Sequence, residues 1–104
     1  MQIPEIMNSN LILTNLKTAY DRQLAEFVMT SCLYHAKKLP RLISNKASRD
    51  WDYFKMDMLY GKTMVILGYG SIGRDTARAA KLGFGMNVIG VKRRPGDLAD
   101  EFAD

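Results

Sequence analysis

Apolar and polar residues recur with different periods along this chain, and the first two patterns lie in its N-terminal half. Asn10 to Asn15 is a short apolar run with an asparagine at each end, which predicts a strand. From Asp21, a plausible N-cap, apolar residues recur three and four positions apart, which predicts a long amphipathic helix that ends near Pro40. The predicted apolar face of this helix consists of Leu24, Phe27, Val28, Cys32 and Leu39, with His35 on the same side.

The pattern is irregular in the middle of the chain and then becomes regular again. No clear period is visible from Arg41 to Tyr60, so this aromatic-rich segment is predicted to be an arm or loop that packs against another surface. The apolar runs Met64 to Leu67 and Asn87 to Val91 predict two buried strands. A helix of small residues is predicted between them, interrupted at Gly83 to Gly85.

This order of strand, glycine-rich turn, helix and strand predicts an α/β fold. The crossover length favours a right-handed parallel βαβ unit, which the long helix precedes. After the second strand, Pro95 and Gly96 predict a turn, and Leu98 to Asp104 is predicted to begin another helix.

Composition narrows the class of protein. The chain has 104 residues, 47% hydrophobic and 25% charged, which suits one small globular domain with a small core. Its apolar runs are far shorter than the roughly 20 residues that span a bilayer, and its first residues do not follow the layout of a signal peptide. We therefore expect a soluble, cytoplasmic protein with no membrane partner. Cys32 is the only cysteine, so no intrachain disulfide can form and no metal site is predicted.

The charge of +4 is unevenly distributed. A basic cluster, Lys92, Arg93 and Arg94, follows the second predicted strand, whereas the acidic residues of the tail are Asp97, Asp100, Glu101 and Asp104. A basic cluster can hold a nucleic-acid phosphate or a cofactor phosphate, or it can simply be solvated. The interleaved aromatic residues and the helix-turn-helix or zinc signatures of nucleic-acid binding are absent near it, so no nucleic-acid partner is predicted.

The glycine-rich turn between the first strand and the helix reads Gly68-Tyr69-Gly70-Ser71-Ile72-Gly73. A G-x-G-x-x-G motif alone is weak evidence, since it can be an ordinary corner between a strand and a helix. Its position after a strand is more specific: Gly68 permits a tight turn, Gly70 leaves room for a pyrophosphate, and Gly73 lets the helix pack close to the strand. The free N–H groups of the helix N-terminus attract phosphate, so the turn predicts a dinucleotide site. A P-loop is excluded because no Gly-Lys-Ser/Thr follows.

The end of the second strand favours one form of the cofactor. About 20 residues beyond the first glycine, dinucleotide-binding proteins place an acidic residue that binds the ribose 2′-hydroxyl. Lys92 falls at that position and cannot accept such a hydrogen bond. Lys92, Arg93 and Arg94 could instead neutralise a 2′-phosphate, which favours NADP(H) over NAD(H). The alternative is that these side chains only flank the adenosine edge in solvent.

Longer stretches of the chain resemble a known family. LAEFV on the long helix, the proline after it, Trp51, and the block GKTMVILGYGSIGRDTARAAKLGFGMNVIGVKRRP together resemble the D-isomer-specific 2-hydroxyacid dehydrogenase family over about Leu11 to Pro95. The resemblance implies an NAD(P)-dependent enzyme that oxidises 2-hydroxy acids or reduces 2-oxo acids. The family often has arginine at the position of Arg93. The length of Leu82 to Met86 is shared with some glyoxylate or hydroxypyruvate reductases, which again favours an NADP-linked reductase.

The resemblance implies an α/β fold in which a Rossmann-type parallel βαβ nucleotide-binding unit follows a long connecting helix and forms only a partial domain. It also implies a division of the chain and further site residues. Residues 1–18 would be the end of a substrate domain, 19–60 the connecting helix and an arm that often form a homodimer interface, and 61–104 the truncated first part of the NAD(P)-binding domain. Tyr69 to Gly73 would hold the pyrophosphate, with N–H groups from Ser71 and Ile72. Val28 matches a position that commonly lies near the nicotinamide.

One departure from the family concerns catalysis. Members are much longer, and their catalytic arginine, acidic residue and histidine all lie downstream of the stretch present here. The only histidine, His35, falls on the connecting helix and is interpreted as a packed or exposed helix residue. We therefore expect a fragment that contains no catalytic residue and is inactive alone. A non-catalytic, dinucleotide-sensing interaction protein, like the corepressors of this family, is the alternative.

Overall fold

The computed structural model describes residues 3–94 and 100–104, so the turn predicted at Pro95 and Gly96 lies outside the described residues. The elements in chain order are α1 (Pro4–Met7), α2 (Asp21–Ala36), α3 (Leu39–Ser48), β1 (Thr63–Leu67), α4 (Ser71–Arg78), a π-helical turn (Ala79–Gly83) and β2 (Asn87–Val91). None of the helices in these residues combines the length and the hydrophobicity that a bilayer-spanning segment needs.

The two strands form a parallel sheet in register from Thr63 opposite Asn87 to Leu67 opposite Val91. Helix α4 and the π-helical turn connect them, which confirms the α/β fold class and both predicted strands. Side chains alternate between the two faces of the sheet: Val88 is buried, whereas Leu67 is 81% exposed. One face therefore packs against helices, and the other lies uncovered.

The strand predicted at Asn10 to Asn15 is wrong. These residues belong to no helix or strand, and Ile12 is 92% exposed. A strand requires a neighbour to pair its N–H and C=O groups, and the only backbone N–H here with a described partner is that of Leu11, which donates to the Ser9 hydroxyl at 3.4 Å. The run is apolar, but no strand among the described residues pairs with it.

Helix α2 confirms the predicted helix but only part of its predicted buried face. It begins at Asp21, with Tyr20 rather than Asp21 in the cap position and no side-chain cap. Its buried residues are Ala25 and Met29, and the half-buried residues packed against the core are Cys32, Leu33 and Ala36. Leu24 and Phe27, expected inside, are exposed. The helix is apolar on two sides, and the side with the small Ala25 is the one that packs towards the core.

The segment after α2 is more ordered than expected. Helix α2 ends at Ala36 rather than at Pro40, and Pro40 instead lies in the first turn of α3, where its missing N–H costs no hydrogen bond. Only the part after α3 is the predicted arm. Arg41 of α3 holds this arm through a salt bridge of 2.7 Å to Asp52 and lies 4.5 Å from the ring centroid of Phe54.

The core lies around α4 and the inner face of the sheet. Its buried members are Met29, Leu59, Tyr69, Ala77, Ala80, Met86, Val88, Phe102 and Ala103. The helix predicted for Leu98 to Asp104 is wrong over the described residues, because Asp100 and Ala103 form an antiparallel bridge around a turn. Asp104 then pairs with β2: its N–H donates to the Val88 carbonyl at 3.0 Å, and the Gly90 N–H donates to its carbonyl at 2.8 Å.

Candidate functional site

The parallel sheet brings the glycine-rich turn and the basic cluster to one edge. Leu67 and Val91 are paired at the carboxyl ends of β1 and β2. The N–H groups of Gly68 and Tyr69 both donate to the Val91 carbonyl, at 2.8 and 3.0 Å. The first residues of the turn are therefore bonded to the residue that precedes Lys92. Ligands of open α/β sheets bind at this carboxyl edge.

The geometry of the turn agrees with the roles expected for two of its glycines. Gly68 has φ +91°, a conformation that side chains other than glycine rarely adopt, and it starts the reversal into α4. A Cβ at Gly73 would lie 3.1 Å from Ile66 Cγ2 and 3.2 Å from the Gly68 carbonyl oxygen. The absence of that carbon allows α4 to approach β1 closely, so the predicted close packing at Gly73 is confirmed.

The N-terminus of α4 presents unpaired donors. The Arg74 N–H makes the first helical hydrogen bond, to the Gly70 carbonyl at 2.9 Å, and no side chain caps the helix. The N–H groups of Ser71, Ile72 and Gly73 come before that bond and have no partner among the described residues. A Cβ at Gly70 would meet no atom within 4 Å. Three aligned donors beside open space, at the positive end of a helix, can hold an anion such as a pyrophosphate.

Tyr69 differs from the other residues of the turn. Its N–H is already bonded to Val91, and its side chain is 9% exposed and belongs to the core. Burial and then the charge of Asp100 raise the pKa of the phenol, and the nearby Arg74 lowers it. The side chain therefore supports the turn rather than offering a group to a ligand.

The basic cluster and Val28 occupy different places. Lys92, Arg93 and Arg94 are exposed directly after β2, and no described carboxylate lies within salt-bridge distance of them. Val28 is half-buried on α2, next to the buried Met29, and is not part of the turn. His35 is exposed on α2, where its ring contacts Tyr34 edge-on, with 5.6 Å between centroids.

The charged contacts of Arg74 next to the turn were not foreseen. Its Nε donates to Asp100 Oδ2 at 2.8 Å, its Nη2 lies 3.3 Å from Glu101 Oε1, and its guanidinium is 4.8 Å from the Phe102 ring centroid. The N–H of Phe102, and then Arg74, hold the pKa of Asp100 below its ordinary value despite some desolvation. The acidic tail was visible in the sequence, but its pairing with an arginine 26 residues away was not.

Together, a parallel βαβ unit, a tight glycine turn at its carboxyl edge and an uncapped helix N-terminus define a Rossmann-type nucleotide-binding unit. The family model of the D-isomer specific 2-hydroxyacid dehydrogenase, NAD binding domain, matches residues 29–103. The chain belongs to this family. The predicted membership and the nicotinamide dinucleotide class of cofactor are thereby confirmed.

Individual dehydrogenases and reductases are similar to this chain in sequence and in fold. The chain is 37% identical to D-3-phosphoglycerate dehydrogenase of Methanocaldococcus jannaschii over 82 residues, 77% of this chain and 16% of that protein. A glycerate dehydrogenase related protein from Thermoplasma acidophilum shares its fold with TM-score 0.73 and 36% identity, over 83% of this chain and 29% of that one. An NADPH-dependent glyoxylate/hydroxypyruvate reductase from Sinorhizobium meliloti was solved with NADP and sulfate. The chain matches it with TM-score 0.70 and 25% identity, over 88% of this chain and 28% of that one.

This chain spans less than a third of the length of each of these relatives. Their names are those of enzymes or enzyme-related proteins, and nothing in the comparisons favours a non-catalytic interaction protein.

Proposed function

We propose that this chain is the NAD(P)-binding portion of an oxidoreductase that acts on the CH–OH group of 2-hydroxy acids or reduces 2-oxo acids, similar to glyoxylate/hydroxypyruvate reductases. The observation that carries the proposal is the row of three N–H groups, Ser71 to Gly73, which have no partner in the described part of the chain and lie beside open space at Gly70. Family membership adds the class of cofactor, and the Sinorhizobium reductase adds a related substrate class.

In this proposal the turn holds the cofactor by its backbone. Gly68 and Tyr69 shape the turn, Gly70 leaves space, and the N–H groups of Ser71, Ile72 and Gly73 donate to the pyrophosphate. The bound nicotinamide supplies hydride transfer, and half-buried Val28 would flank that ring. The chain's own residues bind and orient the cofactor, and none of them is proposed as a catalytic acid or base.

The basic cluster would select NADP(H). Lys92, Arg93 and Arg94 follow β2 at the edge where the adenosine ribose of a bound dinucleotide would lie. A 2′-phosphate is a strong acceptor for lysine and arginine, and Arg93 is the preferred ligand. The NADP complex of the Sinorhizobium reductase supports this choice of cofactor.

We also propose the organisation of the complete enzyme. Residues 1–18 would end a substrate domain, 19–60 would connect and dimerise, and 61–104 would begin the cofactor domain. The exposed Phe27 of α2 and Trp51 of the arm, 69% and 97% exposed, are apolar surfaces suited to a homodimer interface. A small 2-oxo or 2-hydroxy acid would bind with residues outside this chain.

Calorimetric titration of the full chain with NADPH and NADH tests the cofactor proposal. NADPH should bind more tightly, and Arg93→Ala should weaken NADPH binding by about tenfold to a hundredfold, since a hydrogen bond to a charged group contributes roughly 1.5–3 kcal/mol. NADH binding should barely change. Arg22→Ala, which removes an exposed arginine from α2, is the matched control.

Two results would contradict different parts of this proposal. Binding of neither dinucleotide would contradict the cofactor site itself. Equal or tighter binding of NADH, or an Arg93→Ala variant with unchanged NADPH affinity, would contradict only the 2′-phosphate assignment.

A further inference from the structure

The glycine turn is supported by the Tyr69 side chain as well as by its backbone. A Cβ on Gly90 of β2 would lie 2.7 Å from both Cγ and Cδ2 of Tyr69, so the ring occupies the space that a larger residue at position 90 would fill. The turn is thus attached to β2 twice, by this ring and by the two hydrogen bonds to Val91. Any shift of Tyr69 would move the backbone next to Gly70.

The ring of Tyr69 belongs to the same buried cluster as Phe102 of the tail segment Asp100–Asp104, whereas its hydroxyl, a buried polar atom, has no hydrogen-bond partner among the described residues. The Phe102 N–H donates to Asp100 Oδ1 at 3.0 Å, so Asp100 holds the backbone of the residue that packs in this cluster with Tyr69. Burial raises the pKa of the Tyr69 phenol, and the charge of Asp100 adds to this. The position of Asp100 therefore matters to the turn.

Arg74 keeps Asp100 in place. It contacts both Asp100 and Glu101 and stacks on Phe102. The Lys81 ammonium donates to the Glu101 carbonyl at 2.9 Å, and the Phe102 N–H donates to Asp100 Oδ1 at 3.0 Å. The tail segment Asp100–Asp104 is thus bound to α4 and the π-helical turn on one side and, through Asp104, to β2 on the other.

The charges of this cluster bear on anion binding. Arg74 is the fourth residue of α4, and a cation near a helix N-terminus opposes the helix dipole unless it is paired. Conversely, Asp100 and Glu101 would repel a phosphate at the turn if no cation neutralised them. Pairing Arg74 with the two carboxylates removes both penalties near the proposed pyrophosphate site.

We propose that Arg74 and Asp100 are positioning residues which, through Phe102 and Tyr69, hold the glycine turn in the shape that presents its three N–H groups to a pyrophosphate. This inference rests on the proposed dinucleotide site. It assigns to Arg74 a role different from that of Lys92, Arg93 and Arg94: the pyrophosphate is common to NADH and NADPH, so loss of Arg74 weakens both cofactors alike.

The test compares Arg74→Met with Arg78→Met in the full chain. Arg78 is also exposed on α4, one turn further on, and makes no salt bridge with a described residue. Calorimetric titration should show Kd for NADH and for NADPH rising by about fivefold each in Arg74→Met and unchanged in Arg78→Met, with Arg74→Lys between them. Asp100→Asn should weaken both cofactors in the same proportion, and the double variant Arg74→Met/Asp100→Asn should lose less than the product of the two single effects.

The outcomes separate the inference from the function on which it rests. If the unsubstituted chain binds neither dinucleotide, the proposed function fails first. If it binds both and Arg74→Met, with an unchanged circular dichroism spectrum, retains both affinities, the positioning role is overturned. It is also overturned if only NADPH is weakened, if the two single effects multiply in the double variant, or if Arg74→Met lowers Tm without changing affinity. Should Arg74→Met not fold, Asp100→Asn decides by the same criteria.

Discussion

The region from Thr63 onward and the region before it differ in how they use their apolar residues. Most of the buried core belongs to the later region, including Ala77, Ala80 and Val88, whereas the earlier one contributes chiefly Ala25, Met29 and Leu59. Most of the large exposed hydrophobic side chains lie before Thr63. The radius of gyration is 19.1 Å, whereas a compact domain of this length has about 13 Å.

This difference shows how much of the core the βαβ unit contributes. Its strand, turn, helix and strand are adjacent in sequence, so a short chain can pack the helix against one face of the sheet. The earlier region contains α1, α2, α3, an arm and an apolar run. Helix α2 packs against the core through Met29 and Cys32, but large apolar side chains of the run and the arm, such as Ile12 and Trp51, are exposed. Even the βαβ unit is incomplete, because Val65 and Leu67 on the outer face of β1 are exposed, and parallel sheets are normally covered on both faces.

The largest expected effect concerns the stability of the whole chain. With one sheet face uncovered and much apolar surface exposed, the isolated chain should be poorly stable. Circular dichroism should record a broad thermal transition, and hydrogen exchange should show the slowest amides in β1, α4 and β2. A sharp, cooperative melt of the monomer, or equal protection before and after Thr63, would contradict both the prediction and the comparison.

One substitution in each region should show that the two regions differ in how strongly a change affects the free energy of unfolding. Ala77 is fully buried on α4, so Ala77→Leu should overpack the core and destabilise it by about 1–3 kcal/mol. Phe27→Ala removes a much larger but exposed side chain and should change stability by less than about 0.5 kcal/mol. The midpoint of helix loss in urea measures both. A larger shift for Phe27→Ala would show that α2 buries its outer face in solution.

The smallest expected effect is on pH dependence. The pKa of Asp52 is lowered first by Arg41 and that of Asp100 first by the Phe102 N–H, so each carboxyl is more acidic folded than unfolded. The contribution of each is complete above the ordinary value of about 3.9 and is lost as pH falls through the lowered pKa. Asp52 is exposed and Asp100 is half-buried at the surface, so the effect of each on the free energy of unfolding is small.

Amide exchange at pH 7 and pH 3 checks this prediction. In acid, Asp52 should release the arm, and Asp100 should release the segment Asp100–Asp104 and the turn beside Tyr69. Asp52→Asn and Asp100→Asn should each abolish the acid response of its own region only. A response that remains in Asp100→Asn would mean that another group secures the tail.

Prediction from the sequence was best where the interactions are local. Both strands, the glycine turn and α2 were located within a few residues, because each depends on short apolar runs or on backbone freedom at one glycine. The same reasoning was wrong for Asn10 to Asn15, since a strand exists only with a partner. It also placed Leu24 and Phe27 of α2 inside, where only Cys32 of the predicted face packs against the core, because that helix is apolar on two sides and only packing decides between them.

The amino-acid sequence by itself determined the family, the βαβ order and the placement of the three glycines, since these follow from neighbouring residues. The tertiary structure alone decided that the turn and the basic cluster share one sheet edge, that Tyr69 faces the core, and that Arg74 pairs with Asp100. Such contacts join residues far apart in the chain, and no periodicity or spacing encodes which distant side chains will meet.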